Sequence, residues 1–239
     1  LAAALGADAC EIYTDVDGVF TADPRVVGEA QKLHAVSYEE MLEMAASGAK
    51  VLQLRSVEFA RNHGVMVHVR STFTEEPGTW IKEEDARMLE KALISGVTHT
   101  LEEAVYEVDG VRPADLFEAL AAAEVNVDTI IQMDSRIVFS APLEDRPHAD
   151  DALSSLGATY VQEDGLGKVS VVGAGMKSHP GVAARTFATL RGLGVTPKFV
   201  ATSPIKIACY VEAADVEEAV RALHAAFELD APAAERTHA

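Results

Sequence analysis

The chain has 239 residues, 49% of them hydrophobic, with 38 Asp and Glu against 20 Lys and Arg and a formal net charge of −18. That length and apolar share support two or three folded units rather than disorder, except over the polar tail DAPAAERTHA. The negative field argues against nucleic acid or an anionic membrane as a partner, since both are polyanions. The two cysteines, Cys10 and Cys209, lie far apart inside apolar runs, which suits reduced thiols of a cytoplasmic protein. The eight histidines form no ligand pair, and no metal site is predicted.

The opening LAAALGADAC lacks Met and a basic leader and reads as the middle of a helix, hence as part of a fragment or processed chain. No stretch approaches the length needed to cross a bilayer. A strand over 9–14 runs into YTDVDGVFTADPR, rich in turn formers and charges, and a loop placed so commonly carries a site. In SYEEMLEMAASGAKVL, Ser37 and Glu40 have capping-box spacing, while Met41, Met44 and Ala45 line one helical face. Strand 65–71 follows, and a Pro-Gly turn in EEPGTW closes this α/β zone.

The charged segment EEDARMLEKA bridges to two copies of one pattern. VYEVDG, LFEALAAAEVNVDTIIQ and RIVFSAP are echoed by VSVVGAG, TFATLRGLGVTPKFVAT and IKIACYV, each copy followed by a helix-like stretch. Each reads strand, helix, strand, strand, helix, the ferredoxin-like βαββαβ order without its last strand. TYVQED completes the first copy. The second ends in a polar, proline-broken tail, so its missing strand must come from elsewhere, and ISGVTHT at 94–100 is the candidate. The first module is therefore expected to be inserted into the second. In GAGMKSHPGV, the turn of the second copy, glycines let backbone amides face a ligand and the next helix N-terminus favours a carboxylate. The same turn is shortened in the first copy.

Taken in order, YTDVDGVFTADPR, GAKVL, VRSTF with EEPGT, NVDTIIQ and VGAGMKSHPGV resemble the aspartokinase family across essentially the whole chain. The resemblance implies an α/β chain: the C-terminal part of an amino-acid-kinase-fold domain at 1–83, then a linker and donated strand at 84–104. A first ACT module follows at 105–166 and a second at 167–232. It implies phosphoryl transfer from ATP, with Mg2+, to the side-chain carboxylate of L-aspartate. Thr14 and Asp15 are then expected near adenine and ribose, Phe20 at an aromatic position often occupied by Tyr, and Arg25 and Lys50 at the phosphates. Cations on converging loops suit a reaction catalysed mainly by positioning and charge stabilisation. Residue chemistry alone reads TADPR as a surface turn and Lys50 as one solvated charge at a helix end.

The resemblance also implies feedback by lysine, threonine or both, bound between modules. Asn126, Val127, Asp128 and Gln132 of the first module and His179, Pro180 and Gly181 of the second match the family's effector positions, with Asp128 meeting an ammonium group. Taken alone, Asn126 and Asp128 only start a strand and cap its turn. The chain departs from the family at Gln53-Leu54, where a His-Pro pair is usual, at Thr196-Pro197-Lys198 and at Pro204. The family's glycine-rich phosphate loop and its aspartate-holding, catalytic segments are not among these residues, so the chain is expected to be inactive alone. The other reading is a non-catalytic, amino-acid-binding regulatory subunit docked to a catalytic chain. Under both, a homodimer or an assembly with a catalytic chain is expected.

Overall fold

The computed structural model describes residues 1–84 and 93–231, and their strands form three four-stranded sheets. Residues 85–92 of the charged bridge and 232–239 of the polar tail lie outside the described residues.

The first unit comprises α1 (Ala2–Leu5), β1 (Ala9–Thr14), β2 (Ala35–Ser37), α2 (Tyr38–Ala46), α3 (Leu54–Asn62), β3 (Met66–Ser71) and β4 (Thr79–Lys82). Its sheet runs β1-β3-β4-β2, with β1 parallel to β3 and β4 antiparallel to it. The Ser37/Glu40 capping box forms as its spacing predicts: Ser37 Oγ accepts from the Glu40 amide and the Glu40 carboxylate accepts from the Ser37 amide. Met41 and Met44 enter the core with Tyr38, Val57, Val69 and Ile81. β2 and β4 were not expected: β2 has three residues and β4 four, too few to show a period, and the chain after the Pro-Gly turn stays in the sheet as β4.

The chain then enters β5 (Gly96–Thr100) before building the first module from β6 (Glu103–Asp109), α4 (Pro113–Ala122), β7 (Ile130–Met133), β8 (Arg136–Pro142), α5 (Arg146–Ser155) and β9 (Thr159–Glu163). The sheet order is β7-β8-β6-β9, so TYVQED completes it as expected. Tyr106, Val108, Leu116, Leu120, Phe139 and Leu153 fill the core between sheet and helices, the Tyr106 and Phe139 rings stacking at 4.9 Å.

The second module contains β10 (Leu166–Val172), α6 (Gly181–Gly192), β11 (Phe199–Ser203), β12 (Lys206–Glu212) and α7 (Val216–Ala226). Its sheet order is β11-β12-β10-β5. The donor strand is therefore the one preceding the first module, paired antiparallel with β10 from Gly96↔Val172 to Thr100↔Lys168. The insertion predicted from the repeats is present. Val97, fully buried, contributes to the core with Val171, Ile207, Cys209, Val220 and Leu223. Cys209 is a buried free thiol whose pKa burial pushes up to about 12, whereas Cys10 is free and only partly buried.

Val97→Asp should place an unpaired carboxylate in this core and cost on the order of 3 kcal/mol or more. Hydrogen exchange should then show protection lost in β10 and β12 while β6 and β8 hold. Loss confined to the first module would assign β5 to the wrong sheet.

Candidate functional site

The loop after β1 folds back on itself through fixed contacts. Thr79, fully buried on β4, accepts from the Val19 amide at 2.9 Å and donates to the Leu33 carbonyl at 2.6 Å. Gly18 sits at φ +145°, and a Cβ there would lie 2.5 Å from Thr79 Oγ1, so the Asp-Gly turn needs its glycine. Thr21 closes the loop with reciprocal bonds to Gln31, its amide donating to the Gln31 carbonyl and its hydroxyl accepting from the Gln31 amide.

This loop and the GAKVL segment after α2 wall a cavity of about 390 Å3, lined among others by Asp15, Phe20, Asp23, Arg25, Lys50 and His99. Four of the five residues expected at a nucleotide thus share one cavity. Thr14, the last residue of β1, does not line it; its hydroxyl donates to Asp15 Oδ1 at 3.0 Å. Arg25 is held by Asp23 through both carboxylate oxygens, Nε to Oδ1 at 3.0 Å and Nη2 to Oδ2 at 2.6 Å. Those hydrogen bonds hold the Asp23 carboxyl below the usual aspartate range. Lys50 pairs with Glu102 at 2.7 Å, and both side chains remain largely exposed. Arg25 and both members of the Lys50–Glu102 pair are solvent-facing, so an anionic ligand can compete for the two cations.

The cavity has a wall that sequence reasoning missed. Thr98 and His99 of β5 line it, although β5 belongs to the second module's sheet. Gly48, at φ +105°, rests against that strand so closely that a Cβ would lie 2.0 Å from the His99 carbonyl oxygen. The Val97 amide donates to the Thr21 carbonyl at 2.7 Å, and Thr21 Oγ1 lies 2.9 Å from His224 Nε2 on α7. Nothing in the local pattern of TADPR or ISGVTHT announced these long-range contacts.

The expected effector residues fall into two places. Asp128 lies at the seam between the two module sheets, where its carboxylate takes a hydrogen bond from Lys168 Nζ at 2.6 Å. Lys168 is fully buried on β10 and also donates to Glu103 Oε1 at 2.5 Å and to the Ala46 carbonyl at 3.5 Å. Burial opposes the Lys168 charge, but Tyr210, Glu103 and Asp128 outweigh it and hold its pKa above the ordinary lysine value. Burial, with the neighbouring Asp128 charge, raises the Glu103 carboxyl against the lowering pull of Lys168. Beside them the Tyr210 hydroxyl donates to Thr129 Oγ1 at 2.9 Å and lies 2.9 Å from Ser140 Oγ. Asn126 is exposed with its amide on Asp145, Val127 packs on the first module's core, and Gln132 is exposed on β7.

His179, Pro180 and Gly181 stand instead at the start of α6, His179 Nδ1 lying 3.0 Å from the Gly175 carbonyl oxygen. Among the described residues no hydrogen bond or described cavity joins this set to Asp128. The glycines of GAGMK also have another use: a Cβ on Gly173 would lie 2.3 Å from the Leu93 carbonyl oxygen, so they admit the chain that leads into β5. The Ala174 amide does face a carboxylate, but it is the protein's own Glu40, 3.0 Å away, which also accepts from Ser95 Oγ at 2.5 Å.

The amino acid kinase family matches residues 1–71 and an ACT domain matches residues 169–227. The aspartokinase of Mycolicibacterium smegmatis is 45% identical over 96% of this chain and 59% of its own length. The chain thus spans about three-fifths of the curated relatives it matches. The structure of E. coli aspartokinase III in complex with aspartate and ADP superimposes with a TM-score of 0.84 at 23% identity, over 95% of this chain and 54% of that one. The regulatory subunit of aspartate kinase from Thermus thermophilus matches at 30% identity and a TM-score of 0.53, over 56% of this chain and 98% of that one.

Lys168→Met should leave Glu103 and Asp128 facing each other without a cation and cost about 3–5 kcal/mol at neutral pH. A carboxyl whose folded pKa is raised binds protons more tightly when folded, so the deficit should shrink as pH falls toward the ordinary glutamate range. Urea denaturation at pH 8 and pH 5 measures this, and an equal deficit at both would deny the carboxylates a role.

Proposed function

The chain belongs to the aspartokinase family, and on that premise we propose that it forms the nucleotide-side wall and the feedback apparatus of an enzyme that transfers the γ-phosphoryl group of ATP to the side-chain carboxylate of L-aspartate, giving 4-phospho-L-aspartate. The observation that carries this reading is the cavity shared by Asp15, Phe20, Arg25 and Lys50. E. coli aspartokinase III, which shares the fold, was solved with ADP and aspartate.

The residues present fit a nucleoside polyphosphate. Arg25 offers a planar fork and Lys50 a point charge, from two loops that meet at one cavity. Phe20 supplies an apolar wall and Asp15 an acceptor for a sugar hydroxyl. As the bound phosphates develop charge during transfer, Arg25 and Lys50 meet it without a proton changing hands. Mg2+ bound with ATP supplies further charge neutralisation at the phosphates; among the described residues no cluster of three or more His, Cys, Asp or Glu could hold it alone. The aspartate-binding and remaining catalytic groups are assigned to residues outside these 239.

For regulation, the reading places lysine or threonine at the module seam, with Asp128 receiving the ammonium. Its carboxylate already holds an alkylammonium there, that of Lys168, the same kind of group that an amino-acid ligand offers. Ile130, Met133 and Val161 on the first module's edge strands are exposed and offer a pairing surface for a second copy. A cytoplasmic setting agrees with two free cysteines.

The alternative is a regulatory subunit without catalysis, supported by the 98% coverage of the T. thermophilus regulatory chain. Residues 1–71, matched to the kinase family, support the first reading.

Titration of ADP into the folded chain tests the cavity. Arg25→Ala and Lys50→Ala should each weaken binding roughly 10- to 100-fold, from the ~1.5–3 kcal/mol of a charge-assisted hydrogen bond. Unchanged affinity in both would exclude the phosphate role. Lysine and threonine, singly and together, should give saturable heat that Asp128→Asn abolishes; heat without ADP binding would favour the regulatory subunit.

A further inference from the structure

The Asp23–Arg25 pair poses a problem that the proposed nucleotide reading does not itself solve. Both carboxylate oxygens of Asp23 are committed to Arg25. If Arg25 leaves for a phosphate, Asp23 remains as an uncompensated carboxylate in the cavity that receives a polyanion. Two like charges at close range cost binding energy unless a cation replaces the one that moved.

We propose that His99, on the strand completing the second module's sheet, is a positioning residue that takes over Asp23 when Arg25 moves to the phosphates of a bound nucleoside polyphosphate. The proposal rests on the nucleotide reading of this cavity. His99 lines the same cavity as Asp23 and Arg25. Its strand cannot drift away from the loop, because the Val97 amide is bonded to the Thr21 carbonyl and Gly48 is fitted against the His99 carbonyl.

The charges facing the imidazole fit a switch. Asp23 and Arg25 act on it from the loop and Glu217 from the first turn of α7, while its ladder partner on β10, Val169, is apolar. Burial holds the imidazole below the ordinary histidine range, against the pull of Asp23 and Glu217, and Arg25 adds to the lowering. Departure of Arg25 removes one opposing charge and frees a carboxylate, and the incoming phosphates add negative potential. All three changes raise the His99 pKa. Binding therefore takes up a proton from solvent onto the imidazole, and affinity rises as pH falls through the interval between the free and bound values.

The test is calorimetric titration of ADP between pH 6 and pH 8, in buffers of differing ionisation enthalpy, into the wild-type chain and His99→Gln. The ionisation of ADP itself is common to both and cancels. The wild type should take up more protons than the variant, and its affinity should gain on the order of threefold to tenfold more between pH 8 and pH 6. Equal proton uptake and equal pH slopes, with ADP still bound, overturn the role of His99 and leave the nucleotide reading standing. A folded wild-type chain that binds no ADP overturns both. NMR titration of the His99 ring in the wild type provides a check without a variant: its pKa should rise on addition of ADP, and an unchanged value contradicts the proposal.

Discussion

The antiparallel ladder between β5 and β10 holds the rest of the chain in place. β10 lies between β12 and β5, and without β5 its outer edge would present unpaired amides and carbonyls. β5 precedes the first module in the chain, so the second sheet is complete only when both ends of the first module return to the same ladder. The strand also works on its other side. Its Val97 amide meets Thr21, its glycine admits the Thr21 carbonyl within 2.8 Å of where a Cβ would stand, and its His99 carbonyl presses on Gly48. The loops that carry Arg25 and Lys50 are therefore packed onto a strand of the second module's sheet.

α2 makes the same connection along its length. Met41 and Met44 fill the core of the first unit, while Glu40 accepts from Ser95 and Ala174, Glu43 from Ser203 and Lys206, and the Ala46 carbonyl faces Lys168. A capping carboxylate thus also serves as an anchor between units. Any change in the pose of the second sheet has to be accommodated along this helix, whose following segment supplies Lys50. Such contacts are the physical means by which an effector at one end can bias a site at the other, provided it prefers one pose.

Much of this was legible in the sequence because it depends on local or repeating patterns. The capping box at Ser37 and Glu40, the two module repeats and the orphaned last strand of the second all follow from spacing alone, and the orphan led directly to the donor at 94–100. β2 and β4 escaped because three or four residues carry no period. The glycines of GAGMK suggested a ligand turn, whereas Gly173 serves close backbone packing against Leu93. Lys168 did leave a signal, a lysine in the apolar run LGKVSVV, which is entirely buried. A charge in such a run demands partners, but Glu103 and Asp128 lie far away in sequence and only the fold brings them there.

The seam between the module sheets explains why such a charge is kept. Its buried apolar part is small, comprising Val105, Val138, Leu166 and Tyr210. Apolar contact is non-directional, and a patch of this size does little to fix one sheet's angle on the other. The polar contacts around it are directional: the Tyr210 hydroxyl reaches Thr129 and Ser140, and the Lys168 ammonium must reach two carboxylates from the first module and a helix-end carbonyl from the first unit. An apolar replacement of the whole triad could be as stable, since burying charge is costly. It would lack the geometric demand that brings three units to one nitrogen atom.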